Sequence, residues 1–467
     1  MSTGRLYALL TDLYQLTMLQ AYVIEDMFDT AVFDLFARRL PRQRNYLIAC
    51  GLDDALVYLE SLHFDDEALA YLASIGKFKA EFLDYLASFR FSGDVYAVPE
   101  GTVVFPGEPI LEVVAPLPQA QLVESFLLNQ IHFQTLVASK VSRVVTAARG
   151  KPVIDFGLRR YHGIDAGLKA ARAAFIAGAQ GTSNVLAGQR YGIPLSGTMA
   201  HSYVLAHSDE AEALAHFAEV YPDTVLLVDT YDTLAGVRKV VALAQRLGSE
   251  FHVRAIRLDS GNLLELSRQS RRILDEAALK QVGIFASGEL DENRIDNLLK
   301  EGAPIDAFGV GTRMGTSADA PFIDSAYKLV SYAGENRMKL SAGKATSPGR
   351  KQVYRLEKDG YAVGDVMTLH GESQAGKPLI QPVMREGRRL TDTPTDLVSI
   401  RHHCQREIAA LPKHILQLQQ SEQSYRVSLS SALEMERHRL SGKQKLAPAD
   451  SFCRMNRNSP PTGGNTD

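Results

Sequence analysis

Apolar positions recur at three- and four-residue steps through the first 30 residues. Leu9, Leu13, Leu16 and Leu19 share one face, which predicts a helix opened by Thr11. The run AVFDLF at 31–36 reads as a strand, and ALVYLESL and EFLDYLASF, within 51–90, read as amphipathic helices. From Gly93 to Val114 short alternating runs are cut by Gly and Pro, the pattern of a small sheet with tight turns. A long helical stretch follows from Gln119 to Arg149.

Beyond Pro152 the rhythm changes. Short apolar runs end in polar or glycine-rich loops: PVIDFGLRR, TSNVLAG, IPLSGTMAHS, TVLLVDTYDT, AIRLDSGN, VGIFASGEL, IDAFGVGT and YKLVSYA. Helical segments separate many of them, at Asp165–Ala179, Thr233–Leu247, Leu263–Ala278 and Asp291–Gly302. Alternating strand and helix predicts parallel βα units with right-handed crossovers. About eight units in roughly 180 residues is short for a complete (β/α)₈ barrel, so an irregular α/β barrel is expected, with a doubly wound open sheet as the alternative. Further on, VYRLE-KDG-YAVGDVMTL predicts a hairpin turning at Asp-Gly. No internal repeat is visible. The resulting division is 1–135, a mixed α+β N-terminal domain; 136–345, the barrel; 346–440, a C-terminal extension packed on both; and 441–467, a disordered tail poor in apolar groups.

Composition narrows the partners more than the fold. The 467 residues are 45% hydrophobic and 22% charged, with 51 basic against 54 acidic side chains. A net charge of −3 lacks the basic excess that nucleic-acid binding requires. Cys50, Cys404 and Cys453 form no CxxC pair, so inert thiols in a reducing compartment are expected rather than disulfides or zinc. The N-terminus has no basic segment followed by an apolar core, and no apolar run reaches membrane-spanning length. A cytoplasmic protein without membrane contact is the expectation.

Reacting groups in parallel βα folds gather at the carboxyl ends of the strands. Here those ends carry Arg159 and Arg160; Thr198, His201 and Ser202; Asp229 and Asp232; Arg257 and Asp259; Ser287 and Glu289; and Gly309, Gly311, Thr312 and Arg313. Each has a structural explanation, but six such endings in register are hard to attribute to packing. In Gly309-Val310-Gly311-Thr312 the glycines let backbone amides approach an anion. In isolation a tight turn is the more frequent explanation of GVGT, and its late barrel position brings phosphate level with that reading. His201 has two roles open to it, general acid/base or nucleophile. Asp229, Asp232 and Asp259 suit Mg²⁺ and phosphates, although Asp232 alone reads better as a helix cap. Arg159, Arg160 and Arg257 suit planar anions, or else salt bridges to neighbouring carboxylates.

In this order, LLTDLYQLTM, EGTVVFPGEPILEV, DFGLRR, GTSNVLAG, GIPLSGTMAHSYV, LVDTYDT, IRLDSGN, FASGELDE, FGVGTRMGTSADAP and YKLV resemble the nicotinate phosphoribosyltransferase family from about Leu9 to Val330. The resemblance implies an irregular barrel of the type II phosphoribosyltransferase kind, a mixed N-terminal domain and a homodimer. It implies formation of nicotinate mononucleotide and pyrophosphate from nicotinate and 5-phosphoribosyl 1-pyrophosphate, the first step of NAD synthesis from nicotinate. That reaction is Mg²⁺-dependent and coupled to ATP hydrolysis through a phosphohistidine, here His201, which makes the enzyme a ligase. Tyr14, Thr198 and Arg257 match its nicotinate contacts, and Thr312 its phosphoribosyl pyrophosphate contact. Gly309, Gly311, Ser287 and Gly288 are expected beside that second ligand, and Asp259 and Arg159 in the catalytic set. Mg²⁺ is expected on Asp229 or Asp259.

Two positions depart from the pattern. Asn262 stands where the acidic motif usually ends in Asp, and His162 follows DFGLRR where many relatives have Gln. Rival readings are nicotinamide phosphoribosyltransferase, whose histidine motif differs from GTMAHS, the shorter quinolinate enzyme, and a non-catalytic scaffold on the same fold.

Overall fold

The computed structural model describes residues 7–341, 346–393 and 395–445. Two sheets organise them. One has seven antiparallel-paired strands in the order Glu335–Asn336, Ser325–Tyr332, Thr30–Ala37, Pro109–Pro116, Asp94–Ala97, Gln381–Arg385, Arg388–Arg389. Every residue of Thr30–Ala37 after the first is buried, so the strand is covered on both faces, as its continuous apolar run requires.

The second sheet has six parallel strands in the order Gly181–Thr182, Val153–Asp155, Ala307–Val310, Gly283–Ala286, Ala255–Leu258, Val225–Leu227. A single parallel bridge from Thr182 to Leu195 extends its edge. The barrel is therefore an open half-barrel with six strands and one bridge, where the sequence rhythm suggested about eight units. Two runs, IPLSG and YKLVSYA, account for the difference, and a third, TSNVLAG, supplies only a two-residue strand. IPLSG contributes only the Leu195 bridge. In TSNVLAG the strand stops at Thr182, and Val185–Tyr191 is a helix whose first turn is capped by the Asn184 side chain accepting from the Ala187 amide. YKLVSYA crosses into the antiparallel sheet, where Ser325–Tyr332 pairs with Thr30–Ala37. An antiparallel partner 290 residues upstream has no signature within a seven-residue apolar run.

Three local boundaries also differ. The helix expected to open at Thr11 is Leu13–Ile24, with Asp12 rather than Thr11 at its cap position. The stretch from Gln119 is two helices, Leu117–Leu122 and Glu124–Ala147, separated at Val123. Helix Ser431–Lys445 continues into the segment expected to be a disordered tail, and 446–467 lies outside the described residues. The hairpin Lys351–Lys358/Tyr361–Leu369 agrees with the sequence. Asp359 and Gly360 both have positive φ, 52° and 80°, as a type I′ turn needs.

Helix Glu124–Ala147 joins two cores. Phe126, Leu127, Ile131 and Leu136 belong to the N-terminal core, while Val137, Val141, Val144 and Ala147 belong to the barrel core. The C-terminal segment packs on both, through Val353, Met367 and Met384 on one and Ile400, Cys404 and Ile415 on the other. Cys50 and Cys404 are free and buried, and Cys453 lies outside the described residues. Among the described residues no helix is long and apolar enough to cross a membrane.

Candidate active site

Parallel pairing sets the strand ends side by side: Arg257 lies opposite Phe285 and Leu227, and Phe308 opposite Ala286. Arg257 is the centre of the resulting mouth. Its Nε donates to Ser287 Oγ (2.8 Å), Nη1 to Thr198 Oγ1 (3.0 Å) and the Met199 carbonyl (3.4 Å), and Nη2 to Asp259 Oδ1 (2.6 Å). These four contacts leave one of five guanidinium N–H groups without an acceptor among the described residues. The guanidinium also lies over the Phe156 ring, 5.4 Å from its centroid, and Phe156 in turn tilts against Phe285 at 5.5 Å.

Asp259 ties the mouth together. It accepts from Arg257 and from the Ser287 hydroxyl, its amide donates to Asp229 Oδ2 (2.9 Å), and its Oδ2 is 3.9 Å from His201 Nε2. Partial burial raises its pKa, but Ser287, the Arg257 charge and hydrogen bond, and His201 outweigh burial and hold the carboxyl below its ordinary value. Asp229 also accepts from the Ser260 hydroxyl (2.7 Å), yet its other oxygen is buried with no partner among the described residues. Such an orphan oxygen suits a cation. Among the described residues no group of three His, Cys, Asp or Glu forms a metal cluster. That is compatible with Mg²⁺, which is commonly held by one or two carboxylates together with ligand phosphates and water.

His201 opens the short helix His201–Leu205, with 41% of its side chain exposed. Nδ1 is 3.1 Å from Thr230 Oγ1, so Nε2 is the nitrogen left toward Asp259 and solvent. Two glycines shape the floor. Gly288 has φ +87°, and a Cβ there would lie 1.8 Å from the Asp259 carbonyl. A Cβ on Gly309 would lie 2.6 Å from the Phe156 ring. Gly311 precedes the short helix Thr312–Gly315, and Thr312 Oγ1 accepts from Arg160 Nη1 at 3.3 Å.

The structure thus brings Thr198, His201, Asp229, Arg257, Asp259, Ser287 and Gly288 together. Asp232 caps helix Thr233–Leu247 by accepting from the Ala235 amide, as expected of it. Asn262 likewise caps Leu263–Glu276 through the Glu265 amide, which gives the departure from the acidic motif a structural role. Arg159 is exposed, and it is Arg160 that reaches Thr312. Tyr14 lies on the N-terminal helix, 49% exposed, among Glu124 and Asp12 rather than mouth residues. Desolvation, then those carboxylates, push its hydroxyl up to about 12. Phe156 and Thr230, against Arg257 and His201, are positions of the mouth that the sequence pattern did not single out. Each sits inside a quoted motif, DFGLRR and LVDTYDT, but only the fold shows which way its side chain points.

A six-stranded half-barrel with a mixed N-terminal layer and a C-terminal extension is the architecture of the type II phosphoribosyltransferases. Three nicotinate phosphoribosyltransferase family models match in sequence: the N-terminal domain at residues 9–132, the family model at 152–340 and the C-terminal domain at 371–436. Nicotinate phosphoribosyltransferase of Mycobacterium tuberculosis is 53% identical over 433 residues, covering 93% of this chain and 94% of that protein. The Bacillus subtilis nicotinate phosphoribosyltransferase is 42% identical over 372 residues, 78% of this chain and 76% of that one. In structure, human nicotinic acid phosphoribosyltransferase superposes with a TM-score of 0.82 at 28% identity, over 92% of this chain and 99% of that one. The chain belongs to the nicotinate phosphoribosyltransferase family.

Proposed function

We propose that the chain joins nicotinate to 5-phosphoribosyl 1-pyrophosphate, giving nicotinate mononucleotide and pyrophosphate, with ATP hydrolysis coupled through phosphorylated His201. The observation that carries this reading is the Arg257 knot: a guanidinium fixed by Asp259, Ser287 and Thr198, stacked on Phe156, with one N–H still open. A planar pyridine carboxylate suits that arrangement, its ring against Phe156 and its carboxylate taking the open N–H and the Thr198 hydroxyl.

The ring nitrogen then displaces pyrophosphate at the anomeric carbon, where positive charge develops. The chain's task is to hold both ligands in line and to stabilise the leaving group. Backbone amides at Gly309–Thr312 and Ser287–Gly288 would hold phosphate oxygens. Asp229 or Asp259 would hold Mg²⁺, which when bound would neutralise charge on the pyrophosphate. His201 would offer Nε2 to the γ-phosphoryl group of ATP while Thr230 steadies Nδ1; an N–P bond forms as the β–γ P–O bond breaks and ADP leaves, and water later takes the phosphoryl group as inorganic phosphate. The reading extends to the first step of NAD synthesis from nicotinate, in the cytoplasm, and to a homodimer. Exposed Leu9, Leu10 and Leu13, beside Tyr14, support the homodimer as apolar surface that a second copy would cover.

Chromatography of products tests the reading. The protein is supplied with phosphoribosyl pyrophosphate, Mg²⁺ and nicotinate, nicotinamide or quinolinate, with and without ATP. Mononucleotide from nicotinate alone, accelerated by ATP, is the expected result. Product from nicotinamide instead would move the assignment to the amide-using enzyme, and no product from any base would favour a scaffold.

A further inference from the structure

Behind the mouth lies a group of charged side chains that the proposed chemistry does not use. Lys140 and Arg143, on helix Glu124–Ala147, meet Glu292; Lys140 and Arg44 meet Asp319. Lys140 Nζ is 2.7 Å from Asp319 Oδ1, and Arg143 Nε is 3.0 Å from Glu292 Oε1. Arg44 holds Asp319 with both terminal nitrogens and also donates to Ser317 Oγ at 3.1 Å. Arg44, Lys140, Arg143 and Glu292 are at most 4% exposed, and Asp319 is 24% exposed. Three cations therefore face two carboxylates in the interior, a costly arrangement unless it serves something. Arg44 Nε is buried with no partner among the described residues, which adds to that cost.

The attachment points are informative. Glu292 begins the helix entered from Ser287-Gly288, and Asp319 and Ser317 end the turn entered from Gly309–Thr312. Ser317 itself has φ 45° and is fully buried, so that turn is held against its own preference. Both loops expected to carry phosphate oxygens thus finish on one charged anchor. Two of its three cations come from a helix that spans both cores, and the third comes from the N-terminal layer.

We infer that Lys140 and Arg44, through Glu292 and Asp319, are positioning residues for phosphoribosyl pyrophosphate: they fix the spacing of the two loops and leave one unmatched positive charge behind them. This rests on the reading of those loops as phosphate contacts. Removing Lys140 loosens the Asp319 end and cancels the excess charge, so ground-state binding of the anion suffers while the nicotinate contacts at Arg257 do not.

Steady-state kinetics of the full chain, with each substrate varied in turn, test this together with thermal shifts produced by inorganic pyrophosphate. Lys140→Met is expected to raise KM for phosphoribosyl pyrophosphate about tenfold, with kcat and the nicotinate KM within about twofold of wild type. Lys140→Arg restores most of the loss, and the pyrophosphate-induced shift falls in parallel. Asp319→Asn, at the exposed edge, keeps the shape of the anchor and adds a second unmatched positive charge, so it lowers the same KM by about threefold; it decides the matter if Lys140→Met does not fold. Variants that lose stability but keep the wild-type KM for phosphoribosyl pyrophosphate overturn the inference, as does an equal loss for both substrates. A wild type that neither turns over nor is stabilised by pyrophosphate sinks the underlying reading and this inference with it.

Discussion

Two arginine–carboxylate knots in this molecule use the same groups for different ends. Arg355 donates to Asp365 from Nε (3.1 Å) and Nη2 (2.7 Å), to Glu407 from Nη1 (2.6 Å) and to the Val103 carbonyl (2.8 Å). Its exposure is 3%, and that of its two carboxylates 0% and 8%. Arg257 and Asp259, at the mouth, are 15% and 29% exposed. The inner knot clamps the C-terminal hairpin to the strand Val103–Val104 and the helix Leu397–Ala409. Each guanidinium makes four contacts and leaves one N–H without an acceptor among the described residues, but only the outer knot faces solvent. Solvent access, rather than the residue pair, separates a structural clamp from a ligand site, because no ligand reaches a donor isolated from water.

The largest expected effect breaks the comparison at its functional end. His201→Ala is expected to abolish all ATP stimulation and leave only a slow ATP-independent reaction, read by initial rates with and without ATP; equal stimulation in both proteins would sink the phosphohistidine. Next, Arg355→Met leaves Asp365 buried without a cation and Glu407 with only Lys377, at a cost of about 3–5 kcal/mol. Denaturant melts should show that loss, with the KM for both substrates unchanged in the protein that remains folded. Arg257→Ala is expected to do the reverse. Loss of charge-assisted hydrogen bonds worth about 1.5–3 kcal/mol raises the nicotinate KM roughly tenfold to a hundredfold with little change in the melt. An unchanged KM would mean that the carboxylate is held elsewhere.

The smallest effect is one of pH. Asp259 sits below the ordinary carboxylate value, so its contribution to stability is complete above the unfolded value near 4 and fades as pH falls through its folded value. Wild type and Asp259→Asn should therefore differ in melting temperature by a constant amount from about pH 5 upward and converge in acid. Divergence that grows toward acid would show that the carboxyl is raised rather than lowered.

Much of the mouth was legible beforehand because strand ends, caps and turns are local. Asp232 and Asn262 cap helices through amides three residues on, and Asp359-Gly360 turns a hairpin between adjacent strands. Arg257, Asp259, Ser287 and Thr198 were candidates because each ends a short apolar run. The six-strand count was less legible, since parallel strands of two to four residues resemble any buried apolar run. Ser325–Tyr332 read as another barrel strand for that reason. Tyr14 entered through resemblance alone, and its own chain leaves it apart from the mouth.

The sequence by itself determined the family, the alternation of strand and helix, and the chemistry at each strand end, because these depend on neighbours within a few residues. Only the tertiary structure decided which strands share a sheet, that Phe156 lies under Arg257, and that Thr230 holds His201. It also decided that Arg44 meets Asp319, 275 residues away. The first two contacts come from strand ends gathered by one parallel sheet and the third from packing two cores on one helix, and no local spacing encodes such partners.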